Sequence, residues 1–238
     1  LNEEQMQLAR AAQVSAEEFA ALTDGREGYG GFDLGKRIDL TGAAAVFLLD
    51  DGRIAIKGEG FMPENQAARH MRSDRVPYEA WAKAGHCTLT PGDVTDNSYV
   101  ENWFSEHERE HGWKIQHIGY AGHNATDLAI KMCTDRNNED FTVEIRQTCA
   151  GQNLAVKEFR TMLLQGRIVI EENPLFMWCL ANANKIRDNY GDIKLSKRHK
   201  DDTERIDPVA ATMNALGLAL IRRDSPTLAD RIDENWTM

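Results

Sequence analysis

The sequence predicts a mixed α/β domain in which helices cover a central sheet. Two strand-like runs come first, over residues 42–49 and 53–61, and Asp51-Gly52 between them is typical of a β-hairpin. Shorter strand-like runs then alternate with helical segments up to residue 222. Because strands that come first and then alternate with helices favour a mixed sheet, we expect a mixed α/β sheet that is flanked by helices.

The individual elements follow from local signals. Residues 1–22 are predicted to be helical, because Ser15 followed by two glutamates resembles a helix start. Residues 62–76 are polar and are expected to be irregular. Asn173-Pro174 is typical of an N-cap followed by a first-turn proline. The other predicted elements are helices at 78–84, 98–111, 125–133, 154–164, 174–184 and 208–222, strands at 115–120, 141–145, 168–170 and 186–195, and a basic loop at 194–205.

The composition provides enough apolar material for a sizeable core. The chain has 238 residues, of which 42% are hydrophobic, and a formal net charge of -10. No apolar stretch reaches the roughly 18 residues of a membrane span, and we see no secretion signal. The negative charge argues against a general nucleic-acid coat, but it permits a local basic strip beside an acidic site. The four cysteines form no CxxC pair and are expected to be reduced thiols.

The first candidate site residue is Asp33, which lies between Phe32 and Leu34 in a predicted strand. An ionised aspartate between apolar neighbours is costly unless its charge meets a partner such as a metal ion. Neighbouring glycines leave room for a close approach to the backbone. Asp39 follows as a second carboxylate. These features lead to the hypothesis that Asp33 is the centre of a metal-dependent nuclease site.

Two further positions would converge with Asp33, because they also lie at the ends of elements. One follows the predicted strand 115–120, and the other is Asp207 at the start of the last helix. Carboxylates suit Mg²⁺ or Mn²⁺, which are hard cations that prefer oxygen. A pair of such ions about 4 Å apart can activate water and stabilise the leaving 3′-oxygen of a phosphodiester. More ordinary interpretations are a helix N-cap for Asp207 and a turn residue for Asp39.

Basic residues directly upstream of Asp207 predict contacts with DNA phosphates. The cluster consists of Lys194, Lys197, Arg198, His199, Lys200 and Arg205. The alternative is a solvated loop. Arg146, which we expect to face outward from its strand, is a further candidate. Such contacts would hold the DNA backbone without reading its sequence.

The segment 107–111, His-Glu-Arg-Glu-His, matches the H-E-x-x-H helix signature of zinc proteases. Two histidines four apart on a helix can bind zinc from one face. However, both histidines share a helical stripe with Val100 and Phe104, and no third ligand follows in a recognisable pattern. We therefore favour packing at the edge of a buried face.

Several motifs occur in an order that is typical of one family. Gly-Phe-Asp-Leu-Gly…Asp-Leu-Thr at 31–41 comes first, and Arg-Ile-Asp at 205–207 comes last. Between them lie the segments 81–85, 90–92, 118–120 with 124–125, 146–147, 154–164, and 173–175 with Trp178 and Asn182, followed by Lys197. In this order and spacing the motifs resemble the nuclease domain of the large terminase subunit of tailed bacteriophages or prophages. The resemblance covers about residues 28–222.

The resemblance implies an RNase H-like fold and a two-metal endonuclease that cuts concatemeric viral double-stranded DNA during genome packaging. Asp33 matches the metal ligand of the first strand, and Asp207 matches the acid at the last helix. Asp39 matches a further acid near the metals. An intact site of this kind is expected to hold two Mg²⁺ or Mn²⁺ ions.

Ala121 is the important departure from the family pattern. The family carries an aspartate directly after the tyrosine at the end of the strand, and this chain has a methyl group there. Because one of three carboxylates is lost, we expect weaker metal binding and impaired cleavage. The departure is either an inactivating substitution or a natural variant that uses another group, with His123 and Asp127 nearest.

The resemblance also implies a division of the chain and a set of partners. Residues 1–27 are expected to be a helical arm or linker from an upstream ATPase domain, 28–223 the nuclease domain and 224–238 a polar tail. The sequence starts with Leu1 and has no G-x-x-x-x-G-K-[ST] motif, so we expect a piece of a longer protein. The implied partners are double-stranded DNA, the ATPase domain, the small terminase subunit and the portal, in the cytoplasm of the bacterial host and without a membrane.

Two other functions remain open. Another RNase H-like nuclease, such as a Holliday-junction resolvase, would be expected to be a basic dimer, and the net charge of -10 speaks against it. A non-catalytic module that binds DNA or docks on a packaging motor would be compatible with a natural Ala121.

Overall fold

The structure is a computed structural model, and it describes residues 1–35, 40–122, 125–198 and 203–223. Asp39, His123, Lys200 and the expected tail 224–238 therefore lie outside the described residues. The described strands are β1 (Gln13–Val14), β2 (Glu27–Asp33), β3 (Thr41–Leu48), β4 (Ile54–Pro63), β5 (Thr88–Thr90), β6 (Lys114–Tyr120), β7 (Thr142–Glu144), β8 (Ile168–Glu171), β9 (Ala183–Arg187) and β10 (Ile193–Lys197). The described helices are α1 (Glu3–Ala11), α2 (Ala16–Thr23), α3 (Glu64–Asp74), α4 (Tyr78–Lys83), α5 (Ser98–His111), α6 (Thr126–Arg136), α7 (Cys149–Leu164), α8 (Pro174–Asn182) and α9 (Asp207–Arg223).

The central sheet is mixed, as the sequence predicts. Its strand order is β1-β8-β4-β3-β2-β6-β7, and β5 pairs with β4 beside this path. Strand β3 is antiparallel to both of its neighbours, whereas β2, β6 and β7 run parallel to one another. The predicted α/β class, a mixed sheet flanked by helices, is confirmed.

Helices cover both faces of this sheet, and each face has its own buried core. On one face, α9 packs across β2, β3 and β6, with α7 and α8 beside it. On the other face, a cluster rich in aromatic side chains includes Phe32, Phe104 and Trp113 and lies under α2, α5 and α6. Among the described helices, none combines the length and the apolar character that a membrane span requires.

Several local predictions are confirmed by specific contacts. Gly52 has a φ of +80°, and it closes the turn between the antiparallel strands β3 and β4. Asn173 Oδ1 accepts a hydrogen bond from the Phe176 backbone N–H at 3.1 Å, as expected for an N-cap. Ser15 and Glu18 form a capping box at the start of α2.

Several expected segments differ from the structure, and one of them, the predicted strand 186–195, is divided between β9 and β10. Residues 62–76 are not irregular, because they contain the helix α3. The expected arm 1–27 packs on the domain, since β1 pairs with β8 and Phe19 is buried in the core. The expected basic loop 194–205 begins inside β10, which forms a separate hairpin with β9.

Candidate metal centre

Asp33 and Asp207 meet at one end of the central sheet because the backbone of α9 lies directly on the strands. Asp33 is the last residue of β2 and pairs with Gly42 of β3. A Cβ atom on Gly42 would lie 2.3 Å from the carbonyl carbon of Asp207, and one on Gly31 would lie 2.1 Å from Ala211 O. The two glycines therefore allow the first turn of α9 to contact the sheet, and this contact places Asp207 beside Asp33.

A buried side chain of α9 holds this arrangement from the middle of the helix. Asn214 is fully buried, and its Nδ2 donates a hydrogen bond to Phe32 O at 3.0 Å, next to Asp33. Its Oδ1 accepts a hydrogen bond from Gln147 Nε2 at 3.3 Å. Because a buried amide must find partners, these contacts fix the position of α9 along β2.

The two carboxylates influence each other electrostatically. Burial and, to a smaller extent, the negative charge of Asp207 raise the pKa of Asp33 to about 7, against the opposing effect of the Lys197 ammonium. Part of the Asp33 side chain nevertheless contacts solvent. Among the described residues, Asp33 and Asp207 therefore form an acidic pair at the strand end, with Lys197 as a nearby cation. A divalent cation would relieve the repulsion between the carboxylates.

Ala121 occupies the corresponding position at the end of the next strand. Strand β6 runs parallel to β2, with Tyr120 beside Phe32, so the next residue follows beside Asp33. A Cβ on Gly119 would meet Asn214 O of α9 at 2.6 Å, and strand alternation directs residue 121 to the same face. Ala121 is buried and offers no oxygen ligand from its side chain. In the part of the chain that the structure describes, no group of three or more His, Cys, Asp or Glu residues could hold a metal ion.

Two other acids border this edge of the sheet. Asp127, one of the expected substitutes for the missing acid, lies in the first turn of α6 and lines a cleft of about 370 Å³ together with Leu34 and Thr41. Glu144 of β7 was not among the sequence candidates. Its Oε1 would lie 2.2 Å from a Cβ on Gly122, so it fills the space directly after Ala121. Glu144 pairs with Tyr120 across β6 and β7, next to Ala121. This strand register identifies Glu144 as a neighbour of the site, but the register cannot be read from the sequence.

The basic candidates lie in different surroundings. Lys197 lies near Asp33, and Lys194 Nζ donates a hydrogen bond to Gln147 O at 3.1 Å. Arg146 is exposed after the end of β7. Arg198 instead lines an apolar cavity of about 350 Å³ beside Leu1.

Arg205 is not in an exposed basic loop, contrary to the prediction from the sequence. It is buried, and its Nε donates a hydrogen bond to Asp74 Oδ2 at 3.1 Å. A buried guanidinium that is paired with a carboxylate is not placed to contact a DNA phosphate. We therefore do not retain Arg205 as a DNA contact.

Both histidines of the H-E-x-x-H segment make packing contacts. His107 Nδ1 lies 2.8 Å from Trp103 O, and its ring stacks on Trp113. Burial lowers the pKa of His107 to about 4. His111 Nδ1 lies 3.0 Å from Asp24 Oδ1. These contacts account for both rings by packing and hydrogen bonding near the end of α5.

Comparison with known proteins connects this geometry to a family. The family model for the endonuclease domain of the terminase large subunit matches residues 2–222. The chain is 27% identical over 202 residues to the terminase large subunit of Enterobacteria phage HK97, and this match covers 82% of the chain and 38% of that protein. It is 23% identical over 213 residues to protein YmfN of Escherichia coli K12. This match covers 85% of the chain and 45% of that protein.

The crystal structure of the HK97 bacteriophage large terminase has the same fold. It superposes with a TM-score of 0.72 at 25% identity, and the match covers 85% of this chain and 42% of that one. Because terminase nuclease domains are RNase H-like, the fold that the resemblance implies is confirmed. The chain spans less than half the length of these relatives. Since the family model matches nearly all of the described residues, the chain belongs to the terminase large subunit endonuclease domain family.

Proposed function

We propose that this chain is a DNA endonuclease domain in which Asp33 and Asp207 hold divalent cations, Mg²⁺ or Mn²⁺, against the backbone of double-stranded DNA. The observation that carries the proposal is the pairing of these two carboxylates at the end of β2, where burial and mutual repulsion raise the pKa of Asp33. A hard cation with a preference for oxygen ligands fits such a pair. Asp39, which lies outside the described residues, is a further ligand in this proposal.

Different residues would have different roles in cleavage, according to their distance from the metal ions. Two bound ions would supply an activated water and stabilisation of the leaving 3′-oxygen. Asp33 and Asp207 would hold them in ionised form, because the nearby positive charges favour the carboxylates. Lys197 would offset the negative charge of the site and contact an approaching phosphate. Lys194 and Arg146 would contact the DNA backbone further from the metals, without reading its sequence.

We further propose that Ala121 impairs cleavage in this chain. The side chain at this position follows beside Asp33 in the parallel register and points to the same face. A methyl group there removes one oxygen ligand, and two carboxylates hold a pair of divalent cations less well than three. Metal affinity should therefore fall, and the second ion should be affected most.

The wider role follows from the family. In this proposal the intact protein carries an ATPase domain upstream of this chain and cuts concatemeric viral DNA in the cytoplasm of the bacterial host. The small terminase subunit and the portal would be its partners. A second candidate is a module that binds DNA or docks on the motor without cutting, and Ala121 is the observation that favours it.

Plasmid digestion in Mn²⁺ tests the proposal. The chain with Ala121 is compared with Ala121→Asp, with Ala121→Asn as a matched control of similar size but without charge, and with Asp33→Asn in the Ala121→Asp background. We expect Ala121→Asp to cut at least tenfold faster than the original chain and the asparagine control, and Asp33→Asn to abolish this gain.

The other outcomes separate the alternatives. Equal cutting by the original chain and Ala121→Asp would contradict impairment by Ala121. If Ala121→Asp neither cuts nor binds Mn²⁺ in a calorimetric titration, the nuclease proposal fails and the non-catalytic module takes its place.

A further inference from the structure

A buried polar network lies beside the proposed metal site, and the proposed chemistry does not use it. Its centre is Asp74 in the last turn of α3, whose side chain is 0% exposed. Tyr78 Oη donates a hydrogen bond to Asp74 Oδ2 at 2.9 Å, and Ser73 Oγ donates one to Asp74 Oδ1 at 2.7 Å. Burying a carboxylate costs free energy of desolvation, and hydrogen-bond and ion-pair partners offset this cost.

Arg205 connects this network to the segment that precedes α9. Its Nε donates to the same Asp74 Oδ2 at 3.1 Å, although the two residues are 131 positions apart in the sequence. Its Nη2 lies 2.9 Å from His70 Nδ1, and because a guanidinium only donates, the histidine nitrogen is the acceptor. The Arg205 guanidinium is therefore held by two groups of α3 in a fixed orientation.

The backbone around Arg205 is held from the other side. Asn182, the last residue of α8, donates from Nδ2 to Arg205 O at 3.3 Å. The next carbonyl, Ile206 O, accepts the amides of Val209 and Ala210 at 2.9 and 2.8 Å, and these bonds form the first turn of α9. Asp207 follows directly after these two anchored carbonyls.

We propose that the Arg205–Asp74 ion pair, supported by Tyr78 and Asn182, positions the Asp207 carboxylate against Asp33. The proposal rests on the proposed function, because it assigns a task at the same metal site. Arg205 is then a positioning residue that touches neither metal nor DNA. A metal site depends on ligands that are held to within a fraction of an ångström, so a change in the support should weaken the site without removing a ligand.

The test uses Arg205→Lys and Tyr78→Phe, each in the Ala121→Asp background. Lysine keeps the charge but cannot reach Asp74 and His70 in the same planar geometry. Tyr78→Phe removes one hydrogen bond to Asp74 and is the milder variant, which remains informative if Arg205→Lys does not fold. The control is Glu171→Gln, which breaks the largely buried ion pair between Glu171 and Lys57. Lys57 pairs with Ala45 of β3, so this ion pair lies away from the strand end that carries Asp33.

Three quantities are measured for each variant. These are the Mn²⁺ concentration for half-maximal cutting, the KM for plasmid DNA, and the amide hydrogen exchange of a peptide that covers the first turn of α9. We expect Arg205→Lys to raise the Mn²⁺ requirement about 10- to 100-fold with little change in KM, and to speed exchange in the first turn of α9. Tyr78→Phe should shift the Mn²⁺ requirement and the exchange rate in the same direction by less. The control should leave the Mn²⁺ requirement and the exchange rate unchanged.

The exchange measurement separates this proposal from the proposed function. If Ala121→Asp neither cuts nor binds Mn²⁺, the proposed function fails, and the positioning of Asp207 is still decided by exchange at Val209 and Ala210. If Arg205→Lys folds and neither exchange nor the Mn²⁺ requirement changes, the ion pair only stabilises the fold and the positioning proposal is wrong. If the control gives the same shifts as Arg205→Lys, general destabilisation explains them and the proposal is also wrong.

Discussion

Asp33 and Ala121 lie beside each other at the ends of parallel strands, and in the proposed function the difference between their side chains would decide what the site binds. A carboxylate between apolar neighbours is stable there only if it is protonated or meets a cation, and the raised pKa of Asp33 expresses this choice. An alanine at the neighbouring position has no such requirement. In the proposed function, one residue would therefore make this strand end a strong or a weak metal site.

A second buried carboxyl gives a prediction about stability and pH. Glu59 lies inside the sheet, and burial raises its pKa to about 7, although Lys57 acts in the opposite direction. Thr88 Oγ1 donates a hydrogen bond to it at 3.2 Å. Because the folded state binds this proton more tightly than the unfolded state, the stabilisation is complete below about pH 4.5 and is lost as the pH rises through 7.

Glu59→Gln removes this titration and keeps an acceptor for Thr88. The free energy of unfolding of the variant, relative to the original chain, should rise from pH 4.5 to pH 8 by on the order of 3 kcal/mol. Urea unfolding at stepped pH measures this difference. A difference that does not change with pH would contradict the raised pKa of Glu59.

The contact between α9 and the sheet is the structural element on which the site depends. Gly31 and Gly42 allow the helix backbone to contact β2 and β3, and Asn214 fixes the helix along β2. Helices normally pack on sheets through side chains, at a greater distance. The close approach brings Asp207 to the strand end.

Gly31→Ala should therefore disturb both stability and the site. The new Cβ would lie 2.1 Å from Ala211 O, a backbone atom, so the helix must move. We expect a loss of about 1–3 kcal/mol in the free energy of unfolding and a lower affinity for Mn²⁺. The matched control is Gly217→Ala in α9, whose Cβ would lie 3.5 Å from the Ala155 Cβ in ordinary contact, and which should stabilise by up to about 1 kcal/mol. Calorimetric unfolding would contradict the prediction if Gly31→Ala were as stable as the original chain.

Local signals in the sequence predict elements well where a side chain acts on its own segment. Asp51-Gly52 and Asn173-Pro174 are examples, because the turn and the cap depend on neighbouring residues. Helix α3 was not predicted, since its preceding residue Pro63 makes no side-chain cap bond and its buried face includes the polar His70 and Asp74. Arg205, which is far along the chain, is one of the partners that make that face suitable for burial.

The candidate site shows the same limit. Asp33 is recognisable from the sequence because an aspartate among apolar strand residues is unusual. Its proximity to Asp207 depends on the glycine contacts of α9, and the burial of Arg205 depends on α3. The convergence of Asp33 and Asp207 follows from their positions at element ends, but neither the glycine contacts nor the burial of Arg205 can be inferred from spacing along the chain.

The molecule as a whole is acidic, and this affects how it could bind DNA. With a formal net charge of -10, the chain repels a polyanion at long range. Any DNA affinity must then come from a few cations at the proposed site, among which Lys197 and Lys194 lie on the same strand, β10. Such binding should be weak and should depend steeply on salt.

Lys197→Gln and Lys114→Gln test this location, because each removes one positive charge from the whole molecule. Lys114 begins β6, at the opposite end of the sheet and about 20 Å from the strand end beside Asp33. The logarithm of the affinity for a labelled duplex, measured by fluorescence anisotropy without divalent metal, is plotted against the logarithm of the salt concentration. For Lys197→Gln the slope should become shallower by about 1, since one phosphate contact is lost, while Lys114→Gln should keep the original slope. Equal changes in both variants would mean that only net charge matters and that DNA does not lie across the Asp33 end of the sheet.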